Sequence, residues 1–205
     1  MTQAPDRLQA EWAGAAVAIL GGGPSLTALQ VEHCMGKARV IAINDAARLA
    51  PWADLLYFCD ERWYRWHEKL VRGFAGMKVT LENYRLRDEV PGLLCLERHD
   101  EAGFWPHPDG LCTGSNSGYQ ALQVAAHLGA RKIVLLGFDM KPAADGRNHF
   151  FGEHPDRVRP AFGLFLRSFP AIARHLADRG IEVLNATPES ALDCFPMRGL
   201  AEALA

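Results

Sequence analysis

The chain contains 205 residues, of which 49% are hydrophobic and 22% are charged. These values exclude a disordered or fibrous protein, and a chain of this length buries about 70% of its unfolded surface. We therefore expect a single domain over residues 1–205, with its core between residues 15 and 192. The 22 Lys and Arg residues against 24 Asp and Glu residues give a net charge of −2, which does not indicate nucleic acid as a partner.

Cysteine usage and hydropathy indicate the compartment. The five cysteines are odd in number and contain no Cys-x-x-Cys pair, a pattern that favours free thiols in a reducing cytosol. The longest apolar stretch, Ala13–Leu20, is far shorter than the roughly 20 residues that cross a bilayer. Acidic residues and no basic leader open the chain, so a signal peptide is not expected. We predict a soluble, cytoplasmic protein with no membrane span, and leave open whether it forms a homo-oligomer.

Short apolar runs alternate with helical patterns along the chain. The runs show no polar alternation, which is typical of strands covered on both faces. Helical patterns are predicted over Ser25–Cys34, Ser117–Leu128 and Pro160–Arg179, the last with a kink or break at Pro170. This alternation predicts an α/β fold with three layers and a mostly parallel sheet. The runs are Ala16–Leu20, Arg39–Ile43, Leu55–Phe58, Lys78–Leu81, Leu93–Leu96, Lys132–Leu136 and Ile181–Leu184.

The first strand leads directly into the turn Gly21-Gly22-Gly23-Pro24-Ser25-Leu26. Glycines such as Gly22 and Gly23 let a ligand approach the backbone, and the helix N-terminus that follows offers N–H groups to an anion. Ser25 can cap the helix or donate its hydroxyl to a phosphate. The motif is neither G-x-G-x-x-G, because Leu26 stands at the last glycine position, nor a Walker A loop. It indicates anion or nucleotide binding, with a plain tight turn as the alternative.

Polar residues end the next two predicted strands, at Asn44 and at Asp60. Ligands of open α/β sheets bind beyond the carboxyl ends of the strands, so both side chains would face the same crevice as the glycine-rich turn. Asn44 offers a donor and an acceptor to a ribose or base, and Asp60 could bind a ribose hydroxyl or a divalent cation. For Asp60, a helix N-cap is an equally good interpretation.

A second small-residue segment opens the helix at residue 117. Thr113 to Gly118 are all small and polar, and Ser115, Asn116, Ser117 and Gly118 would present hydroxyls and N–H groups to an anion. The strand that follows this helix ends at Asp139, which joins the polar residues at the carboxyl edge of the sheet. The long stretch Glu97–Gly114 is predicted to be a loop.

Two histidines, His149 and His154, lie in the polar loop after that strand. Either could be a general base for a hydroxyl nucleophile, with a surface position as the alternative. They are five residues apart, so they do not form a standard zinc pair, and no metal site is predicted. Trp63, Tyr64 and Trp66 lie among Arg62, Arg65 and His67 in an aromatic and basic cluster. Packing of a helix against the sheet is the favoured interpretation, and stacking of a base or sugar the alternative.

In this order the motifs resemble two related groups: the MptE-like 6-hydroxymethylpterin diphosphokinase domain, found in bacterial and phage proteins, and the bacterial sialyltransferases. The resemblance runs from about Val17 to about Leu192 and implies a Rossmann-like nucleotide-binding domain. The sialyltransferases bind a cytidine nucleotide and use a histidine base, which would fall on His149 or His154. The Arg that they carry before the Ser-Gly helix start is absent. The nucleotide-contacting positions implied here are Gly22, Gly23, Ser25, Asn44, Ser117 and Gly118.

The leading hypothesis is a nucleotide-dependent transferase, most plausibly a small glycosyltransferase with a nucleotide-sugar donor and a histidine base. An MptE-like diphosphokinase is the second hypothesis, in which Asp60 and Asp139 would serve Mg²⁺ and the triphosphate of ATP. The third is a non-catalytic nucleotide-binding or phage-assembly module. The acceptor is not predicted.

Overall fold

The computed structural model describes residues 5–100, 102–152 and 160–205 of the chain. Within these ranges, eight strands, six α-helices and a 3₁₀ helix over Asn44–Arg48 follow one another along the chain. The strands are β1 Ala16–Leu20, β2 Arg39–Ile43, β3 Leu55–Tyr57, β4 Met77–Leu81, β5 Leu93–His99, β6 Gly110–Cys112, β7 Lys132–Leu136 and β8 Glu182–Asn185. The helices are α1 Ala28–His33, α2 Glu61–Gly73, α3 Tyr84–Glu89, α4 Ser117–His127, α5 Phe162–Asp178 and α6 Leu200–Ala203.

The eight strands form one sheet in the order β6-β5-β4-β3-β2-β1-β7-β8, and every pairing between them is parallel. From β1, the chain first adds β2 to β6 on one side and then crosses over to add β7 and β8 on the other. The strand order therefore reverses between β1 and β7. In open α/β sheets, ligands bind beside the carboxyl ends of the strands at such a point.

Each face of the sheet is covered by helices, which gives the fold its three layers. In β1, Val17 and Ile19 belong to one apolar core, with α4 and α5, because alternate side chains of a strand point to opposite faces. Ala18 and Leu20 belong to the other core, with α1, α2, α3 and α6. The predicted α/β fold with three layers and a parallel, Rossmann-like sheet is thus confirmed. No helix in the described ranges is long and apolar enough to cross a membrane.

Three of the predicted segments differ from the structure. The predicted loop Glu97–Gly114 contains the end of β5 and all of β6, a strand of three residues that is too short to show a periodicity. Helix α5 runs through Pro170 without a break; this proline lies on the exposed face of the helix. Helix α1 begins three residues later than Ser25, because Thr27 is its N-cap.

Candidate functional site

A cavity of about 460 Å³ lies where the strand order reverses. It is enclosed by the residues that follow β1, β2 and β7 and by the start of α4, so separate loops converge at one edge of the sheet. Nine of the predicted site residues line it; His154 lies outside the described residues. The nine are Gly22, Gly23, Asn44, Ser115, Asn116, Ser117, Gly118, Asp139 and His149.

The glycine-rich turn packs tightly against the loop after β7. The N–H groups of Gly21 and Gly23 donate to the carbonyl oxygens of Leu136 and Gly137, at 2.8 and 2.9 Å. A Cβ atom on Gly23 would lie 2.5 Å from the Gly137 oxygen and would overlap the Asp139 carboxylate. A Cβ atom on Gly22 would meet its nearest neighbour, Nδ1 of His149, at 3.8 Å. Gly23 is therefore required by the packing of the two loops, whereas Gly22 leaves space in the cavity.

Ser25 binds Asp139 rather than capping a helix. Its N–H and its hydroxyl donate to the two carboxylate oxygens of Asp139, both at 3.0 Å. The expected cap at Ser25 is wrong: Thr27 caps α1 in a capping box with Gln30, at 3.2 and 2.9 Å. Burial raises the pKa of the Asp139 carboxyl above its ordinary value, and the hydrogen bonds from Ser25 oppose that shift. The Ser25 hydroxyl, which could have donated to a phosphate, thus donates to Asp139 instead, and this hydrogen bond links the loops that follow β1 and β7.

At the start of α4, Asn116 is the N-cap. Its Oδ1 accepts hydrogen bonds from the N–H groups of Gly118 and Tyr119, at 2.8 and 3.2 Å. The hydroxyl of Ser117 lies 3.4 Å from the sulfur of Cys59, whose pKa is raised by burial. Of the N–H groups predicted to bind an anion, those of Ser115, Asn116 and Gly118 already donate hydrogen bonds within this segment. The segment therefore contributes its shape and the Ser117 hydroxyl to the cavity more than a row of amide donors.

Asn44, which lines the cavity, has two unusual features. Its φ angle is 51°, in the left-handed region, and its buried Oδ1 has no hydrogen-bond partner among the described residues. Ser115 and Met140, at 56° and 52°, also adopt left-handed conformations and also line the cavity. Strained backbone positions and unsatisfied buried polar atoms are both costly and cluster at functional sites. The Oδ1 atom of Asn44 is therefore a hydrogen-bond acceptor that no described group of the protein uses.

Asp60 lies elsewhere. Its carboxylate accepts from the Arg62 N–H at 2.8 Å as the N-cap of α2 and forms an ion pair of 2.8 Å with the Arg62 side chain. Arg62 holds the pKa of Asp60 below its usual value. Asp60 is absent from the described lining of the cavity, so the expectation that it faces the crevice with Asn44 is wrong. The helix-capping alternative is the one the structure shows.

The cavity wall also contains residues that were not among the predicted site residues, including Asp45, Arg48, Trp66 and His67. Asp45 and Arg48 belong to the 3₁₀ helix after β2, so their position beyond a strand end was a usable signal. Trp66 and His67 were recognised only as members of a cluster on α2. In that cluster, Trp63 and Tyr64 are buried and pack the helix against the sheet, as favoured.

Aromatic side chains form another part of the cavity wall. Phe151, Phe162 and Phe165 line it together with Trp66, and the Arg48 guanidinium lies 5.3 Å from the centre of the Phe151 ring. Lys141 is a second cationic side chain in the cavity wall, and its Nζ lies 3.9 Å from Oε2 of Glu189. One cavity thus combines flat apolar surfaces with hydrogen-bonding and charged groups, the composition of a site for a small polar molecule with a ring.

Within the described ranges, no group of three or more His, Cys, Asp or Glu side chains is arranged to hold a metal ion. The two carboxylates predicted to serve Mg²⁺ are separated, because Asp60 caps α2 while Asp139 lines the cavity and binds Ser25. His99 stacks on Trp105 with ring centres 3.4 Å apart.

No protein-family model and no curated protein matches the chain. Among solved structures, it is similar to a D-allulose 3-epimerase from Methylomonas sp., with 12% sequence identity and a TM-score of 0.22. That match covers 90% of this chain, which spans only 53% of the length of the epimerase chain. A likeness this weak says nothing about function.

Proposed function

We propose that the cavity binds a nucleotide or nucleotide sugar, and that the protein is a nucleotide-dependent transferase of the glycosyltransferase type. The observation that carries the proposal is the convergence of the loops after β1, β2 and β7 on one cavity where the strand order reverses. Asn44 lines this cavity, and its Oδ1 has no hydrogen-bond partner among the described residues. Ligands of parallel α/β sheets bind at this place.

The chemical character of the wall supports a nucleotide. The aromatic side chains Trp66, Phe151, Phe162 and Phe165 offer faces on which a base can stack. Arg48 and Lys141 supply positive charge for phosphate oxygens. Asn44 can accept a hydrogen bond from a base amino group or a ribose hydroxyl.

Of the two predicted histidines, His149 lies in the described part of the chain, and it lines the cavity beside Gly22. We assign it as the general base that the transfer requires. In the proposed reaction, the acceptor hydroxyl gives its proton to this imidazole as its oxygen attacks the anomeric carbon of the donor. The bond from that carbon to the nucleotide phosphate breaks, and the phosphate leaves with the electron pair. General-base assistance of this kind contributes about 10²–10⁴-fold to the rate.

The experiment is a calorimetric titration of the protein with cytidine, uridine, adenosine and guanosine nucleotides, with and without Mg²⁺. A nucleotide at about 100 times its dissociation constant should raise the free energy of unfolding by about 2.7 kcal/mol. If none of the nucleotides binds or shifts the unfolding transition, the proposal fails. Turnover of a nucleotide sugar then separates a transferase from a module that only binds.

A matched pair of variants tests whether Asn44 contacts the ligand. Asn44→Gly keeps a residue suited to positive φ but removes the amide, and it should weaken nucleotide binding by about tenfold or more. Glu82→Gly is the control, because Glu82 is also left-handed, at φ 50°, and does not line the cavity. Equal affinity of both variants and the wild type would exclude Asn44 from the binding site.

A further inference from the structure

One wall of the cavity is organised around a buried carboxylate that the proposed reaction has not used. Asp45 is only 7% exposed, and its Oδ2 accepts a hydrogen bond of 2.9 Å from the indole N–H of Trp63. The Trp63 ring is itself buried between α2 and the sheet, and its centre lies 5.5 Å from that of Phe58. The position of the carboxylate is therefore fixed by the core of the protein.

His67 contacts the same carboxylate from α2. Its Nε2 lies 3.4 Å from Oδ1 of Asp45, and its ring lies 4.9 Å from the Trp63 ring, centre to centre. The backbone of α2 leaves helical geometry at this one residue, with φ −121° and ψ 24°. Helices usually bend at proline or glycine, yet residues 62 to 72 contain neither. The departure from the helix thus falls at the residue whose ring both lines the cavity and contacts Asp45.

Arg48 is the third member of this wall. Its guanidinium lies 3.5 Å from the same Oδ1 of Asp45, and its side chain is 50% exposed. On its other side it lies over the Phe151 ring. A single buried carboxylate therefore holds an imidazole and a guanidinium side by side at the cavity surface.

We propose that His67 is a general acid for the transfer and that Asp45 is its positioning residue, an inference that rests on the proposed function. Because Nε2 faces Asp45, Nδ1 is the ring nitrogen that gives its proton to the departing phosphate oxygen. Arg48 contacts that phosphate. As the anomeric carbon–oxygen bond breaks, the phosphate keeps the electron pair and gains the proton of His67, while His149 gains the proton of the acceptor hydroxyl. Exchange with water then restores both histidines.

The role of His67 has a defined pH signature. An acid must carry its proton, so kcat falls at high pH where the imidazole has lost it, and removal of His67 removes that fall. In the described part of the chain, the other charged or titratable side chains lining the cavity are Asp45, Arg48, Asp139, Lys141 and His149. Of these, the first two contact His67 or its partner directly, and His149 governs the fall at low pH as the base.

The experiment compares wild type with His67→Gln and Asp45→Asn, using His107→Gln as the control because His107 is exposed and lies outside the cavity. With the nucleotide sugar that the wild type turns over, His67→Gln should lower kcat by about 10²–10⁴-fold and abolish the fall at high pH. The dissociation constant of the nucleotide should change by less than about threefold. Asp45→Asn, which keeps an acceptor for Trp63, should lower kcat by a smaller factor at unchanged nucleotide affinity.

A second readout decides the role of His67 without turnover. Diethyl pyrocarbonate modifies reactive imidazole nitrogens, and the modified histidines are identified by mass spectrometry. The reagent acylates only an unprotonated imidazole nitrogen. If His67 carries the proton that the proposal assigns to it, it should react more slowly than His107 in the wild type, and it should react faster in Asp45→Asn, which lacks the carboxylate.

The outcomes separate the two proposals. If the wild type turns over a donor and His67→Gln retains its kcat and its pH profile, His67 is not the acid. If the wild type shows no turnover, the proposed function fails and the modification rates decide: a His67 that reacts equally fast in the wild type and in Asp45→Asn overturns its pairing with Asp45.

Discussion

The contact between Gly23 and the loop after β7 leads to a sharp prediction for Gly23→Ala. The new methyl group would lie 2.5 Å from the carbonyl oxygen of Gly137 and would overlap the Asp139 carboxylate. The backbone oxygen cannot rotate away, so the two loops must separate. Overpacking of this kind costs about 1–3 kcal/mol, and loss of a hydrogen bond to a charged group costs about 1.5–3 kcal/mol.

We therefore expect Gly23→Ala to lower the free energy of unfolding by about 3 kcal/mol, which corresponds to a fall in Tm of about 6–12 °C for a chain of this size. Thermal and urea unfolding monitored by circular dichroism measures it. Gly22→Ala is the matched control, because its methyl group meets its nearest neighbour, His149, at 3.8 Å, and should change stability by less than about 1 kcal/mol.

A double variant separates the two sources of the cost. In an Asp139→Ala background the overlap with the carboxylate is gone, so Gly23→Ala should cost less than it does in the wild type, by about 0.5–3 kcal/mol. A Gly23→Ala variant that unfolds within about 2 °C of the wild type would contradict the predicted overlap, and so would a Gly22→Ala variant that is the less stable of the two.

Three further predictions concern stability away from this contact. Burial lowers the pKa of His127 from 6.5 to about 4, so the folded protein excludes a proton that the unfolded chain binds below pH 6.5. Stability should fall by about 3 kcal/mol as the pH drops through this window, and urea titrations of His127→Leu should lose that dependence. Asp60→Ala should lower the free energy of unfolding by about 0.5–2 kcal/mol, because α2 loses its N-cap, but calorimetry should show unchanged nucleotide affinity. A large loss of affinity would show that Asp60 contacts the ligand. Tyr57→Phe removes the 2.8 Å hydrogen bond to Gln120 in the core and should cost about 1–3 kcal/mol, a result that thermal unfolding can contradict.

The fold was predictable because its signals are local. Each of the seven apolar runs became a strand, since burial on both faces imposes a continuous apolar composition on strands such as β1 and β7. The strand β6 was not predicted, because its three residues Gly110, Leu111 and Cys112 are too few to show a hydrophobic pattern. Its place at the edge of the sheet is set by pairing with β5.

The site was predictable in position and less so in detail. The rule that loops meet beyond the carboxyl ends of the strands brought Gly22, Asn44 and Asp139 to one cavity. It could not foresee that Ser25 donates to Asp139, 114 positions further along the chain. Nor could it foresee that α2 departs from helical geometry at His67 and brings its ring to Asp45, because that contact depends on tertiary packing.

The bridge between Ser25 and Asp139 has a consequence for ligand recognition. It fastens the first loop of the domain to the loop that follows the chain's crossing to the far half of the sheet. These two loops, which both contribute to the cavity wall, are therefore held together before any ligand binds. A molecule that enters does not have to order these two loops, so that entropic cost of association has already been met during folding.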